Sequence, residues 1–180
     1  MAVSAVALPF GLRQVKLVPL DNSGAEITAS AQMLPASRTF SFGEAEDFEN
    51  LDGDDRRWAS HGSGPTVEWD LEGGGISLEV WAILSGATVT TAGGGGQKKL
   101  TKLVEDSRPY FNVYGRAISD SGGDFHMVVY RCKADGSLEA SMENGSFLLT
   151  TCSGTGFGED KSSGAKLYDF VQNEVATPLV

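Results

Sequence analysis

Histidine, cysteine and cationic side chains are all scarce in this chain, and each scarcity removes a class of function. The 180 residues hold two histidines and two cysteines. A serine nucleophile needs a base beside it, but His61 lies in a Gly/Ser stretch, His126 lies in a strand-like run, and neither accompanies a Gly-x-Ser-x-Gly elbow. Two distant cysteines and two distant histidines lack the spacing of a zinc site. Cys132 and Cys152 suggest a reducing compartment and read as buried free thiols, with pairing across neighbouring strands left open. Fourteen Lys and Arg stand against 24 Asp and Glu, a net charge of −10. Such a chain is poorly suited to gripping nucleic acid, which is held by cations. No apolar run approaches the roughly 18 residues of a membrane span, and residues 1–10 lack the basic n-region of a secretory signal.

What is plentiful is glycine, 23 residues, with 41% hydrophobic content. Together these favour a turn-rich β protein of one domain over a helical bundle. The negative charge is local. Residues 38–80 carry eleven acids against Arg38, Arg56 and Arg57, which accounts for eight of the ten excess charges.

Within that segment Thr66, Glu68, Asp70 and Glu72 alternate with Val67, Trp69 and Leu71. A period of two marks a strand with one wet and one buried face. The wet face is a row of three carboxylates about 7 Å apart, which repel one another at neutral pH. A glycosidase-like acid–base pair among Glu68, Asp70 and Glu72 would also need a cleft with aromatic sugar platforms, and the nearby aromatics are expected to face inward.

Elsewhere the chain reads as follows. Residues 1–11 form an apolar arm. Gly11–Leu20 is a strand, Asp21-Asn22-Ser23-Gly24 a turn, and Ala25–Ala29 its return partner. A strand from Thr39 to Phe42 puts Phe40 and Phe42 on one face. Seven acids in the twelve residues Glu44–Asp55, then Arg56, Arg57 and Trp58, make residues 43–65 a long solvated excursion, mobile in an isolated monomer. Asp52-Gly53-Asp54-Asp55 lacks the glutamate of a calcium loop. Ile76, Val80, Ile83 and Leu84 fall at helical spacing, and Gly86 ends a helix over about 76–85. Residues 87–107 read as a glycine-rich flexible connection, because Gly93–Gly96 lacks the Gly-Lys-Ser/Thr of a phosphate loop. Strands follow at Tyr110–Ala117, Phe125–Lys133 and Ser146–Ser153, with turns at Ser119–Gly123, Asp135-Gly136 and Asn144-Gly145. Residues 166–175 supply one more short element. Asn144-Gly145-Ser146 fits a glycosylation acceptor formally, and the turn reading is preferred.

The segments "GGGISLEVWAILSGATVTTAG", "RPYFNVYGRAISDSGGDFHMVVYRCKADG", "GSFLLTTCSGTGFGED" and "KLYDFVQNE" together resemble the major tail protein of bacteriophages with long, non-contractile tails, the subunit that forms the tail tube. The likeness covers roughly residues 66–174. It implies a mainly β fold, a β-sandwich or partial barrel flanked by one short helix, with long loops and terminal arms, as a single tail-tube domain over 1–180. It also implies hexameric rings that stack into a tube, with inner sheets joined into one barrel. The implied partners are further copies of the chain, a tape-measure protein during assembly, and tail terminator and distal tail proteins at the tube ends. DNA would pass through without specific binding, and neither cofactor nor membrane is involved. The implied location is the virion tail, assembled in the host bacterial cytoplasm.

On that resemblance Glu68, Asp70 and Glu72, with Glu44 and Glu46, are expected to line the lumen. Glu49, Asp52, Asp54, Asp55, Arg56, Arg57 and Trp58 are expected to form an inter-ring assembly loop. A basic wall would create non-specific DNA sites with dissociation constants of about 10⁻⁴–10⁻⁶ M along the path, whereas a carboxylate wall repels phosphate. The competing expectations are a β-sandwich decoration or binding module of a virion, which forms no tube, and a hydrolase using the carboxylate row.

Overall fold

Alternation along the chain becomes a sandwich of antiparallel strands. The computed structural model describes residues 8–62, 64–91, 96–120, 122–161 (backbone alone at 160 and 161) and 164–179. Residues 1–7 of the expected arm, 93–95 of the glycine run, residue 121 of the expected 119–123 turn and the final residue of the C-terminal segment lie outside them. The strands are β1 (Pro9–Pro19), β2 (Gln32–Met33), β3 (Ser37–Ala45), β4 (Phe48–Gly53), β5 (Arg56–Gly62) and β6 (Thr66–Gly74). Helix α1 (Leu78–Ser85) follows, then β7 (Thr88–Thr91), β8 (Lys98–Thr101), β9 (Phe111–Ser119), β10 (Asp124–Lys133) and β11 (Leu138–Ala140). The last four are β12 (Leu149–Gly156), β13 (Glu159–Lys161), β14 (Gly164–Lys166) and β15 (Tyr168–Asn173).

One layer is β2-β1-β9-β10-β15 and the other is β11-β12-β6-β3, and β10 belongs to both. Its residues 124–129 pair with β15, while Cys132 and Lys133 pair with β12. The switch occurs at a bulge between Val129 and Cys132, where Arg131 takes a left-handed φ of 48°. A bulge bends a strand and raises its twist, which lets one strand turn the corner between layers. At the opposite edge the layers approach through Val15 N–H, which donates to Ser37 Oγ at 3.2 Å, and Leu34 N–H, which donates to Val15 O at 2.8 Å. The result is a mainly β sandwich, nearly a barrel, with one helix, as expected.

Between the layers lie Val15, Leu17, Val67, Trp69, Leu71, Phe111, Val113 and Val129, all buried, with Trp69 edge-on to Phe111 at 5.7 Å. Gly115 is small for a packing reason: a Cβ there would sit 2.7 Å from Phe40 Cδ1 and 2.9 Å from Met127 Cγ. Helix α1 closes one end with Val80, Ile83 and Leu84, which add roughly 5–9 kcal/mol of gross burial. Ser77 Oγ caps it by accepting from Val80 N–H at 3.3 Å, and Gly86 ends it at φ 75°. The expected helix therefore starts two residues late, and Ile76 stands outside it, 39% exposed.

Four further expectations are corrected. Residues 43–65 are not a structureless excursion: β3 runs on to Ala45, and β4 and β5 form a hairpin whose central residues Asp54 and Asp55 have φ of 51° and 59°. Left-handed backbone at both positions is the geometry of a tight hairpin turn, and Asp tolerates it. Residues 87–107 contain the β7–β8 hairpin. The stretch after Gly24 gives one bridge, Leu20 to Glu26, and a single 3-10 turn (Thr28–Ser30), so the strand that flanks β1 on the side away from β9 is β2. The strand expected over 146–153 runs three residues later, because Asn144-Gly145 turns within a loop and not directly into β12.

Candidate functional site

Residues directly opposite in an antiparallel pair point to the same face, so the register shows what surrounds the acids. Thr39, Glu72 and Thr151 lie in one row, Ser41, Asp70 and Ser153 in the next, and Gly43, Glu68 and Thr155 in the third. Glu139 of β11 continues the first row opposite Thr151. Glu68 and Asp70 are exposed and Glu72 is half-buried, while Val67, Trp69 and Leu71 behind them are at most 2% exposed. The face is thus carboxylates set among hydroxyls. No acid sits directly across from another in these rows, so repulsion acts mainly along β6, about 0.6 kcal/mol per neighbouring pair in water at ~7 Å before screening. Glu72 is partly compensated by Arg38 Nη1 at 3.1 Å, an exposed pair that contributes about 0–1 kcal/mol.

Glu44 and Glu46 do not join this face. In β3 the register places Glu44 opposite Val67, on the inner side with Phe40 and Phe42, where its carboxylate accepts from Tyr168 Oη–H at 3.0 Å. Glu46 lies past the end of β3 beside Gly62. The physical reason is parity: partners in β3 and β6 have numbers summing to 111, so an even residue of β6 shares its face with an odd residue of β3.

The hairpin collects the other expected group. Arg57 Nε lies 3.4 Å from Asp52 Oδ1, Trp58 Nε1–H donates to Gly53 O at 2.8 Å, and the Arg56 guanidinium stacks 3.9 Å over the Trp58 ring. Glu49 faces His61 across the ribbon, so His61 is a hairpin residue. Trp58 is 54% exposed, Phe48 59% and Leu51 65%. These large apolar groups stand exposed on a projecting two-stranded ribbon, which is marginal alone.

Sequence reasoning missed a buried polar cluster on the outer side of β9 and β10. The Asp124 carboxylate is fully buried and accepts from Arg116 Nε at 2.8 Å, Asn173 Nδ2 at 2.8 Å, Thr177 N–H at 2.7 Å and His126 Nε2 at 3.1 Å. His126 Nε2 also faces Thr177 O at 3.1 Å. Both partners are acceptors, so Nε2 carries the proton. Burial pushes the Asp124 pKa up, but the donors from Asn173, Thr177, Arg116 and His126 outweigh it and hold the carboxyl at about 2. Through Asn173 and Thr177 the cluster straps the C-terminal segment across the sheet. The available signal was Arg116 and His126 falling on one face of adjacent strands.

Both cysteines are buried free thiols, as expected. Burial pushes Cys152 up to about 12 and Cys132 well above its ordinary value, which makes both inert as nucleophiles. Among the described residues no group of three or more His, Cys, Asp or Glu side chains is placed to hold a metal ion, and no helix is long and apolar enough to cross a membrane.

A scan against protein-family models matches none, and a search of curated proteins finds no similar sequence.

Proposed function

We propose that this chain is a self-assembling structural subunit and performs no reaction. More particularly, we read it as the tail-tube subunit of a long-tailed, non-contractile phage, forming stacked hexameric rings through which DNA passes. The observation that carries this reading is the four-stranded layer β11-β12-β6-β3. Its outer face is carboxylate and hydroxyl, and among the described strands β3 and β11 each form a ladder on one side only, Ser37 at the start of β3 also meeting β1. Unpaired edges are templates for another chain, and a heterologous edge-to-edge contact closes into a ring or propagates.

The dimensions fit. Six copies of four strands at ~4.8 Å spacing give a circumference of roughly 115 Å and a backbone diameter of about 37 Å, larger with strand tilt. Side chains reaching ~5 Å inward from each wall leave about 27 Å, wide enough for a B-form duplex. Glu68, Asp70 and Glu72 would then face the phosphates and keep them off the wall. The exposed β4–β5 hairpin and the other protruding apolar side chains, such as Phe147 (94% exposed) and Met142 (86%), supply contacts between copies. A tape-measure protein would fill the lumen during assembly, and terminator and distal tail proteins would close the ends.

Negative-stain microscopy of the purified chain across a concentration series tests the reading. Rings or stacked tubes with an open lumen are expected. Discrete monomers or trimers that bind a capsid surface and never stack would replace it with the decoration-module reading.

A further inference from the structure

Two cations flank Tyr110 in this otherwise acidic chain, and a third, Arg108, lines the same cleft. The Arg131 guanidinium lies 5.0 Å and Lys133 Nζ 5.1 Å from the Tyr110 ring centre, and Phe157 packs edge-on to the same ring at 6.3 Å. Arg108 Nη1 is held by backbone, donating to Gly136 O at 3.0 Å and to Ala134 O. Among the described residues none of the three has a carboxylate within ion-pair distance. They border a cleft of about 630 Å³ between the turn after β1, the loop entering β9 and the end of β10. Two acids share its wall. Asp21 is engaged by its own turn, accepting from Ser23 N–H at 2.8 Å and Ala25 N–H at 2.9 Å, and Glu159 is 7% exposed. The cleft therefore presents cations.

The cluster is built at a conformational cost. Arg131 sits at φ 48°, a strained backbone that a non-glycine residue rarely adopts. It is fixed there because its N–H donates to Asn112 Oδ1 at 2.8 Å, while fully buried Asn112 donates through Nδ2 to Glu26 Oε1 at 2.6 Å. Bulges of this kind re-aim a side chain.

The chain also carries the complementary charge. Asp54 and Asp55 form the apex of the β4–β5 hairpin, and Asp52 beside them is taken by Arg57. The hairpin springs from the Ala45 end of β3. Arg131 O accepts from Phe157 N–H just past the end of β12, where Gly156 pairs with Val67. Hairpin root and cleft thus lie at the same end of the sandwich. A ribbon of six residues reaches ~20 Å, and crossing two neighbouring strands takes only about 10–15 Å. We infer that the cleft at Arg108, Arg131 and Lys133 receives the Asp54–Asp55 hairpin apex of a second copy lying side by side. This rests on the self-assembly reading and refines it, assigning the hairpin to a lateral neighbour and not to the next ring.

The test mixes two singly substituted full-length chains, Gly53→Cys and Ser107→Cys, under mild oxidation. A Cβ at Gly53 meets only the Trp58 ring edge, at 3.4 Å, and Ser107 is an exposed cleft residue. The native cysteines are buried, so the unsubstituted chain is the blank. A mixed disulfide dimer is expected, its yield falling roughly tenfold when the first chain also carries D54N and D55N, or the second carries R131N and K133A. Asparagine tolerates left-handed backbone at 54, 55 and 131, so these variants keep the turn and the bulge. Crosslinking without rings in the microscope would sustain this inference and sink the tube reading. Rings without crosslinking would sink this inference alone, and neither product would sink both. Retention of a DNA duplex that R131N/K133A abolishes would overturn it, assigning the cleft to phosphate.

Discussion

Asp124→Asn isolates the buried cluster that straps the C-terminal segment to β10. Asp124 Oδ2 takes Arg116, His126 and Thr177 N–H, and Oδ1 takes Asn173. Asparagine keeps the shape but turns one oxygen into a donor that must face another donor, and it leaves the Arg116 guanidinium, 16% exposed, without its counter-charge. Removing one partner of a buried pair costs about 3–5 kcal/mol. For a chain of this length that lowers Tm by roughly 6–20 °C. The pH dependence carries its own sign. The folded pKa of about 2 lies below the ordinary 3.8, so the ionised carboxylate stabilises the fold fully above pH ~4, and that contribution is lost as pH falls towards 2. The shift corresponds to about 2 kcal/mol. Urea titrations of both proteins at pH 7, 5, 4 and 2.5 are the assay, with hydrogen exchange at the Thr177 amide as a local readout. The gap between the proteins is expected to be largest at pH 7 and 5 and to shrink by up to about 2 kcal/mol at pH 2.5, with Thr177 protection lost in the variant. A neutral-pH gap under ~1 kcal/mol, or one that does not change with pH, refutes the claim that this carboxylate is held ionised by its donors.

Gly115→Ala should lower stability by about 1–3 kcal/mol, because its Cβ meets Phe40 and Met127 inside 3.0 Å; thermal denaturation that shows no loss would mean the layers are looser than described. Ser77→Ala removes the α1 cap and should cost about 1 kcal/mol in denaturant titration. Trp58→Ala should leave monomer stability within about 0.5 kcal/mol, since the ring is exposed, yet reduce the yield of assembled particles; normal assembly would remove Trp58 from the contact. Neutralising the row with E68Q, D70N and E72Q should leave the fold intact and raise retention of duplex DNA by assembled particles in a filter assay, whereas unchanged retention would mean that the row does not face the lumen.

How much of this was written legibly in the residues differs by element. Val67, Trp69 and Leu71 gave away β6 because burial on one face and charge on the other is a local, period-two signal. The helix core of Val80, Ile83 and Leu84 was equally plain, but its start was not: Ile76 fits the spacing, yet the Ser77 hydroxyl decides where the first turn begins. The β4–β5 hairpin was hidden by its own charge, because seven acids in twelve residues look like a solvated loop when the left-handed turn at Asp54 and Asp55 is unseen. The resemblance groups Glu44 with Glu68, while pairing parity puts it on the other side of the sheet. In the Asp124 cluster Arg116 and His126 are near in sequence, but Asn173 and Thr177 join from 49 and 53 positions away, and no single-sequence pattern encodes that meeting.

Because β10 hydrogen-bonds to β15 at its start and to β12 at its end, the two layers share a continuous covalent tie. They cannot shear past one another without tearing that backbone from one set of neighbours. A strain applied to either side, by a passing cargo or an adjoining molecule, is transmitted through the peptide chain itself, so the bore and the outer girth of any assembly built from this protein would change together.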